Sequence, residues 1–372
     1  MRVAIVTESF LPTVNGVTNS VVQVNRELRR LGHEVRIFAP EVPGLLREIE
    51  GTTVKPLPAI NLRKHLPIAL PNLMIDRELA KFQPDVMHLA SPALMGAYAQ
   101  KIAIKRGIPT VAVYQTDFVG FADFYRVSFA KRAIQQFVKA THLNATLNLA
   151  PSQFAVEQLQ TLGVKRIEKW GRGVDLELFK PKRRNAETFL GFKGKKIIGY
   201  VGRLAPEKCV ERLSILDAQS DIQLVIIGEG PSRYSLQRQL PNALFTGQLS
   251  GENLARHVAS LDLFVHAGEN ETFCQAAQEA LACGTPVVAP SKGGVKDFVK
   301  PGVNGSIVDM SSDMDLLHEV RKNWAFFTNP ETRKEARASV EEKSWSSLTN
   351  SLIDYYQQSI FVLRQGFVGV AS

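Results

Sequence analysis

Short, continuously apolar runs recur along this chain, each followed by a stretch with helical spacing, and this alternation constrains the fold more than any other feature. The first run is Val3-Ala4-Ile5-Val6. A segment apolar on both faces suits a parallel strand covered by helices on either side. After a loop carrying Pro12 and Gly16, apolar Val17, Val21, Val24, Leu28 and Leu31 recur at helical spacing, with Arg26, Arg29 and Arg30 opposite them. Gly32 is placed to end that helix, and the run from Val35 to Ala39 closes a βαβ unit. Further runs at 85–89, 109–113 and 146–150 extend it. A basic, Pro-punctuated segment without apolar periodicity, Phe179 to Asn185, reads as a linker, and the alternation then restarts at 196–201, 223–227, 243–245, 262–265 and 285–289. With 372 residues, the expectation is α/β class with two doubly wound units, 1–180 and 181–350, facing a cleft where a ligand binds.

Composition excludes several other classes. Hydrophobic residues at 45% and charged residues at 22% are globular usage, against disorder or coiled coil. Cys209, Cys274 and Cys283 have neither the number nor the spacing of a disulfide framework or zinc site. No run of about 18 apolar residues suggests a membrane span, and Glu8 interrupts the opening too early for a secretory core, so a cytoplasmic protein is expected. The net charge of +9 is unevenly spread. Residues 1–185 hold 26 Lys+Arg against 15 Asp+Glu, and the remainder 19 against 21. No RNP, KH or helix-turn-helix pattern accompanies the charge, so nucleic acid is not the expected partner. Neither half has G-x-G-x-x-G after its first strand, which argues against a nicotinamide or flavin dinucleotide.

Three clusters in the second half can carry chemistry. Gly202-Arg203-Leu204-Ala205-Pro206-Glu207-Lys208 follows an apolar run, and Arg203 and Lys208 offer a guanidinium fork and an ammonium, a pair suited to a diphosphate. His266 to Glu279 follows another run. If Glu271 opens the helix there, Glu279 lies two turns inside, roughly 12 Å along the axis, a spacing for two acceptors on one long ligand. The amides from Thr272 to Gln275 would then face an anion. Gly228-Glu229-Gly230-Pro231-Ser232 reads as a turn capped by Ser232. In the first half, Asn15-Gly16-Val17 lets backbone approach a ligand, because Gly16 has no Cβ.

In this order and spacing the motifs resemble the GT-B retaining glycosyltransferases of family four. The resemblance spans nearly the whole chain and includes Gly173-Val174-Asp175 with Phe179. It implies two Rossmann-like domains and a C-terminal helix, 351–372, that returns to the first of them. Arg203 and Lys208 would bind the donor diphosphate as it leaves, Glu271 the sugar hydroxyls with backbone near Phe273, Cys274 and Gln275, and Glu279 the ribose. Gly16 would approach the diphosphate, and the loop around Leu249 the base. No metal or other cofactor is expected. The family works by a front-face mechanism, in which the departing phosphate takes the acceptor's proton. Many relatives carry His where this chain has Gln115, which cannot exchange a proton near neutral pH. Asp117 is left as the candidate for orienting the acceptor or the sugar.

The texts NGVTNSV and YQTDFVGF are most similar to actinobacterial α-mannosyltransferases that use GDP-mannose on glycolipids of the lipomannan and phosphatidylinositol mannoside type. A UDP-sugar-dependent enzyme is the alternative. Asn61 to Pro71 mixes cations with apolar residues, and Phe124 to Lys139 reads as a basic amphipathic helix. Both suit an anionic lipid surface, which implies a lipid acceptor and a peripheral location on the inner face of the membrane.

Overall fold

The computed structural model describes residues 1–63, 66–69, 72–117, 131–310 and 312–366, and it divides the chain into two compact units, 1–173 with 345–372, and 174–344. The first unit is built on strands β1 (Arg2–Thr7), β2 (Glu34–Pro40), β3 (Glu48–Ile49), β4 (Thr52–Leu57), β7 (Val86–Ala90), β8 (Thr110–Val113), β9 (Leu147–Ala150) and β10 (Ile167–Lys169). They form one sheet in the order β10-β9-β8-β7-β1-β2-β4-β3, parallel except for β3. A separate antiparallel pair joins β5 (Ala59–Arg63) to β6 (Leu66–Ala69). The central strands are buried along nearly their whole length, as strands must be when helices cover both faces.

Helices α1 (Gly16–Arg30), α2 (Met74–Phe82), α3 (Leu94–Lys105), α4 (Lys131–Leu143) and α5 (Gln153–Thr161) connect the strands of this sheet. Asn15 caps α1 by accepting from the Thr18 amide at 2.9 Å, and Gly32, at φ +80°, ends it. The last helix of the chain, Trp345–Arg364, belongs to this unit. Its Tyr356 hydroxyl meets His88 Nδ1 at 2.8 Å in the core, and its Leu348 carbonyl accepts from Trp170 Nε1 at 3.0 Å. No helix among the described residues is long and apolar enough to cross a membrane.

The second unit carries six parallel strands in the order β13-β12-β11-β14-β15-β16: β11 (Lys196–Val201), β12 (Ile222–Ile227), β13 (Leu244–Gly247), β14 (Leu263–Val265), β15 (Val287–Pro290) and β16 (Gly305–Val308). Around them lie α6 (Arg233–Gln239), α7 (Gly251–Ser260), α8 (Gln275–Ala282), α9 (Asp313–Lys322), α10 (Trp324–Thr328) and α11 (Pro330–Ala338). Gly199 has a packing role. A Cβ there would lie 2.3 Å from the Leu261 side chain, so glycine lets the chain entering β14 close onto β11.

Two expectations need adjusting. The segment 179–185, read as a linker, lies inside the second unit. Phe179 is buried in its core, and Arg184 donates to the carbonyls of Ala259 and Leu261, where α7 ends. A cation beside a helix C-terminus satisfies otherwise orphaned carbonyls. The observed divisions at 173/174 and 344/345 thus lie a few residues before those read from the sequence. They also move the charge: counted by unit, the first holds all of the +9 and the second is neutral. Of the two segments read as membrane-facing, 64–65, 70–71 and 124–130 lie outside the described residues.

Candidate active site

In the second unit the strand order reverses between β11 and β14, which are paired side by side, and ligands of open α/β sheets bind at such switch points. The loop leaving β11 carries Arg203 and Lys208. It rests on the glycine turn after β12: Leu204 donates to the Glu229 carbonyl, and its own carbonyl accepts from Ser232, both at 2.9 Å. The contact requires bare backbone. A Cβ on Gly228, at φ +144°, would lie 2.0 Å from the Gly202 carbonyl oxygen, and one on Gly230 2.2 Å from that of Leu204. This turn therefore buttresses the Arg203 loop. Ser232 does not cap α6 with its side chain as expected, because its backbone is already helical at φ −87°.

Arg203 is half exposed and paired with Glu207, whose side chain is fully buried. Lys208, with 15% of its side chain exposed, is bonded to Glu271 Oε1, and Glu271 retains 19%. Burial alone would raise the Glu271 pKa, but the Lys208 ammonium holds it below the usual carboxylate range. Burial likewise pushes Lys208 down, and Glu271 lifts it above the ordinary lysine value. The loop bearing Glu271 is pinned at both ends. Arg212 donates to the Ala267 carbonyl at 3.2 Å and pairs with Glu269 at 3.0 Å, and the Gly294 amide donates to the Glu271 carbonyl at 2.7 Å.

Glu271 does not open the helix, contrary to the sequence expectation. The chain stays in loop form through Cys274, which sits at φ +71°, and α8 starts at Gln275. Two turns of helix therefore do not separate Glu271 from Glu279. The first turn of α8 has no acid, so no carboxylate of the helix itself offsets its positive end. Glu279, inside α8, has its pKa pushed up to about 8, chiefly by burial and further by Asp175, against a hydrogen bond from Gln275. Phe273 packs on Phe298 at 5.0 Å between ring centroids. Leu249 follows β13 and is half-buried against the core.

The structure adds His266, a residue to which sequence reasoning gave no role. It follows β14 directly, is 2% exposed, and stacks on Tyr200 with centroids 6.4 Å apart. Its Nε2 lies 3.7 Å from Glu271 Oε1. A polar residue immediately after a buried parallel strand was the available signal. His266, Glu271 and Cys274 bring possible metal-ligand atoms within 4.8 Å of one another. The Glu271 oxygen is bonded to Lys208, and burial raises the Cys274 thiol pKa, so a cation would have to displace the ammonium and the thiol proton.

In the first unit the order reverses between β7 and β1. Gly16 is the first residue of α1, and its carbonyl accepts from Arg172 Nη1 at 2.6 Å. A Cβ at Gly16 would meet only Arg172 Nη2, at 3.8 Å, so packing within this unit does not demand glycine. Gln115 and Asp117 follow β8 and are buried. Asp117 accepts from Gln158 Nε2 at 3.0 Å and from the Tyr114 hydroxyl at 3.3 Å.

The pattern described as Glycosyltransferase Family 4 matches residues 14–178, and that of Glycosyl transferases group 1 matches 182–343. The chain is 44% identical over 370 residues to a GDP-mannose-dependent alpha-mannosyltransferase of Mycolicibacterium smegmatis, covering 96% of this chain and 97% of that one. It is 28% identical, over 95% of each chain, to a GDP-mannose-dependent alpha-(1-6)-phosphatidylinositol dimannoside mannosyltransferase of Mycobacterium tuberculosis. Sucrose-phosphate synthase from Thermosynechococcus elongatus shares the fold at TM-score 0.78 and 19% identity, over 96% of this chain and 98% of that one. The chain belongs to the family-four glycosyltransferases and has the GT-B fold.

Proposed function

We propose that this glycosyltransferase moves mannose from GDP-mannose, with retention of configuration, to a lipid-linked acceptor. The observation that carries the reading is the convergence of Arg203, Lys208 and Glu271 at the β11/β14 switch point. In the reaction the bond from the sugar's anomeric carbon to the β-phosphate oxygen breaks, and a bond to the acceptor oxygen forms. The leaving diphosphate gains charge, and cations fixed beside it stabilise that transition state more than the ground state. The half-exposed Arg203 can turn to the phosphates while Glu207 stays buried. Lys208 supplies a second charge from a rigid loop, Glu271 accepts from sugar hydroxyls, and Glu279 accepts from the ribose. The acceptor's proton passes to the departing phosphate, as the family's front-face mechanism has it. This scheme calls on no metal.

The mannose assignment rests on the 44% identical relative, which is named for GDP-mannose. The lipid acceptor rests on the relative named for a phosphatidylinositol dimannoside, and on the confinement of the entire +9 to the first unit, where an anionic headgroup or membrane face would be attracted. Thermal-shift titration with GDP, UDP and ADP sugars tests the donor. Stabilisation by GDP-mannose alone is expected, and a shift with UDP sugars alone overturns the assignment in favour of a UDP-sugar enzyme. Transfer of labelled mannose into the organic phase of extracted membranes tests the acceptor; label confined to water-soluble products refutes a lipid.

A further inference from the structure

We propose that His266 is a positioning residue for the sugar-binding carboxylate, taking over the contact with Glu271 that Lys208 gives up when its ammonium turns to the donor's phosphates. The proposal rests on the donor reading above, in which Lys208 serves the diphosphate and Glu271 the sugar. Lys208 and His266 both address one oxygen of Glu271, Oε1: the ammonium is bonded to it, and the imidazole Nε2 stands 3.7 Å away. No described residue bonds Oε2. One oxygen of the carboxylate is thus held by the protein, and the other is left for a ligand hydroxyl.

The two tasks of Lys208 compete. The ammonium has three hydrogens but one position and one charge, so a move toward the phosphates weakens its hold on Oε1, and a carboxylate this buried is costly without a partner. His266 is the one other side chain aimed at that oxygen among the described ion pairs. Neither ring nitrogen makes a well-formed hydrogen bond with a described residue, the Gly268 backbone giving a weak one, although 98% of the residue is shielded from solvent. An imidazole left so poorly satisfied in a packed interior is a cost that packing does not explain, and a group required at another stage of the reaction does. With Nε2 carrying its proton, the neutral ring can donate to Oε1 after an approach of about 0.5–0.8 Å. Stacking on Tyr200, and the fixed loop between Ala267 and Glu269, keep the ring facing that oxygen.

The test compares His266→Phe with His266→Gln in the full chain, reading melting temperature, affinity for GDP and for GDP-mannose by calorimetry, and kcat/KM. Phenylalanine fills the space and removes both poorly satisfied nitrogens, so H266F is expected to melt at or above the wild type. It should bind GDP as the wild type does, yet lose at least about tenfold in GDP-mannose affinity and in kcat/KM, the effect of one hydrogen bond to a charged group. H266Q, whose amide can donate to Oε1, should recover most of that loss. Unchanged kcat/KM in H266F overturns the proposal. So does a fall in melting temperature that carries GDP binding down with it, or an H266Q no better than H266F. Glu271→Gln, run beside them, separates this proposal from the reading beneath it. If E271Q keeps the wild-type preference for GDP-mannose over GDP, the sugar role of Glu271 fails; if E271Q loses that preference and H266F keeps it, only the His266 proposal fails.

Discussion

Replacing Lys208 with methionine tests how the site balances charge against burial. The substitution keeps the length and apolar stem of the side chain but removes the ammonium bonded to Glu271. Breaking one half of a buried ion pair costs about 3–5 kcal/mol, because the remaining charge is stranded. Here 15% of the Lys208 and 19% of the Glu271 side chain stay exposed, so solvent screens part of the loss and the low end, about 3 kcal/mol, is expected. For a unit of this size that is a fall of roughly 6–12 °C in the melting temperature near neutral pH. The pH dependence has a definite sign. In the wild type the folded-state pKa of Glu271 is depressed, so its contribution is present above the unfolded pKa and is lost as pH falls through the folded value. In K208M burial is opposed only by His266 and Arg203 and raises that pKa, so the variant's deficit is largest at neutral pH and shrinks on acidification as Glu271 takes up a proton. Differential scanning calorimetry of wild type, K208M, E271Q and the double variant between pH 5 and 8 measures this. The double variant should recover most of the lost stability while remaining inactive. A K208M variant as stable as the wild type at pH 7.5, or a double variant no more stable than K208M, would refute the coupling of these two groups.

Glu279, whose pKa is raised to about 8, gives the opposite profile: stability is fully present below the ordinary carboxylate pKa and is lost as pH rises toward 8, so E279Q should melt higher than the wild type at pH 8 and match it near pH 4. A constant difference across that range counts against the burial effect. Gly228→Ala places a Cβ 2.0 Å from the Gly202 carbonyl oxygen; denaturant unfolding should show a loss of about 1–3 kcal/mol, and donor binding should weaken because the Arg203 loop is displaced. Reversing Arg126, Lys131 and Arg132 to Glu should abolish co-sedimentation with anionic vesicles while leaving GDP binding intact; Lys131 and Arg132 begin α4, and unchanged sedimentation removes this helix from the membrane proposal.

The amino-acid sequence determined most of the architecture on its own, because a strand buried on both faces must be apolar at every position and a covering helix must be apolar on one side. The runs at 3–6 and 196–201 are legible for that reason and appear as β1 and β11. Edge strands such as β10, Ile-Glu-Lys, face solvent and carry no such pattern, and β16, Gly-Ser-Ile-Val, is too short and mixed to announce itself. The motif residues Arg203, Lys208 and Glu271 were readable as chemistry from their place after apolar runs. Which of them touch was not, since Lys208 and Glu271 are 63 residues apart and meet only because β11 and β14 pair at the reversal of the sheet. The start of α8 at Gln275, the burial of Phe179 in the core with Arg184 bonded to the end of α7, and the approach of His266 to the Glu271 carboxylate are likewise long-range outcomes. Each depends on backbone geometry and desolvation set by packing from distant segments, which no local pattern of side chains records.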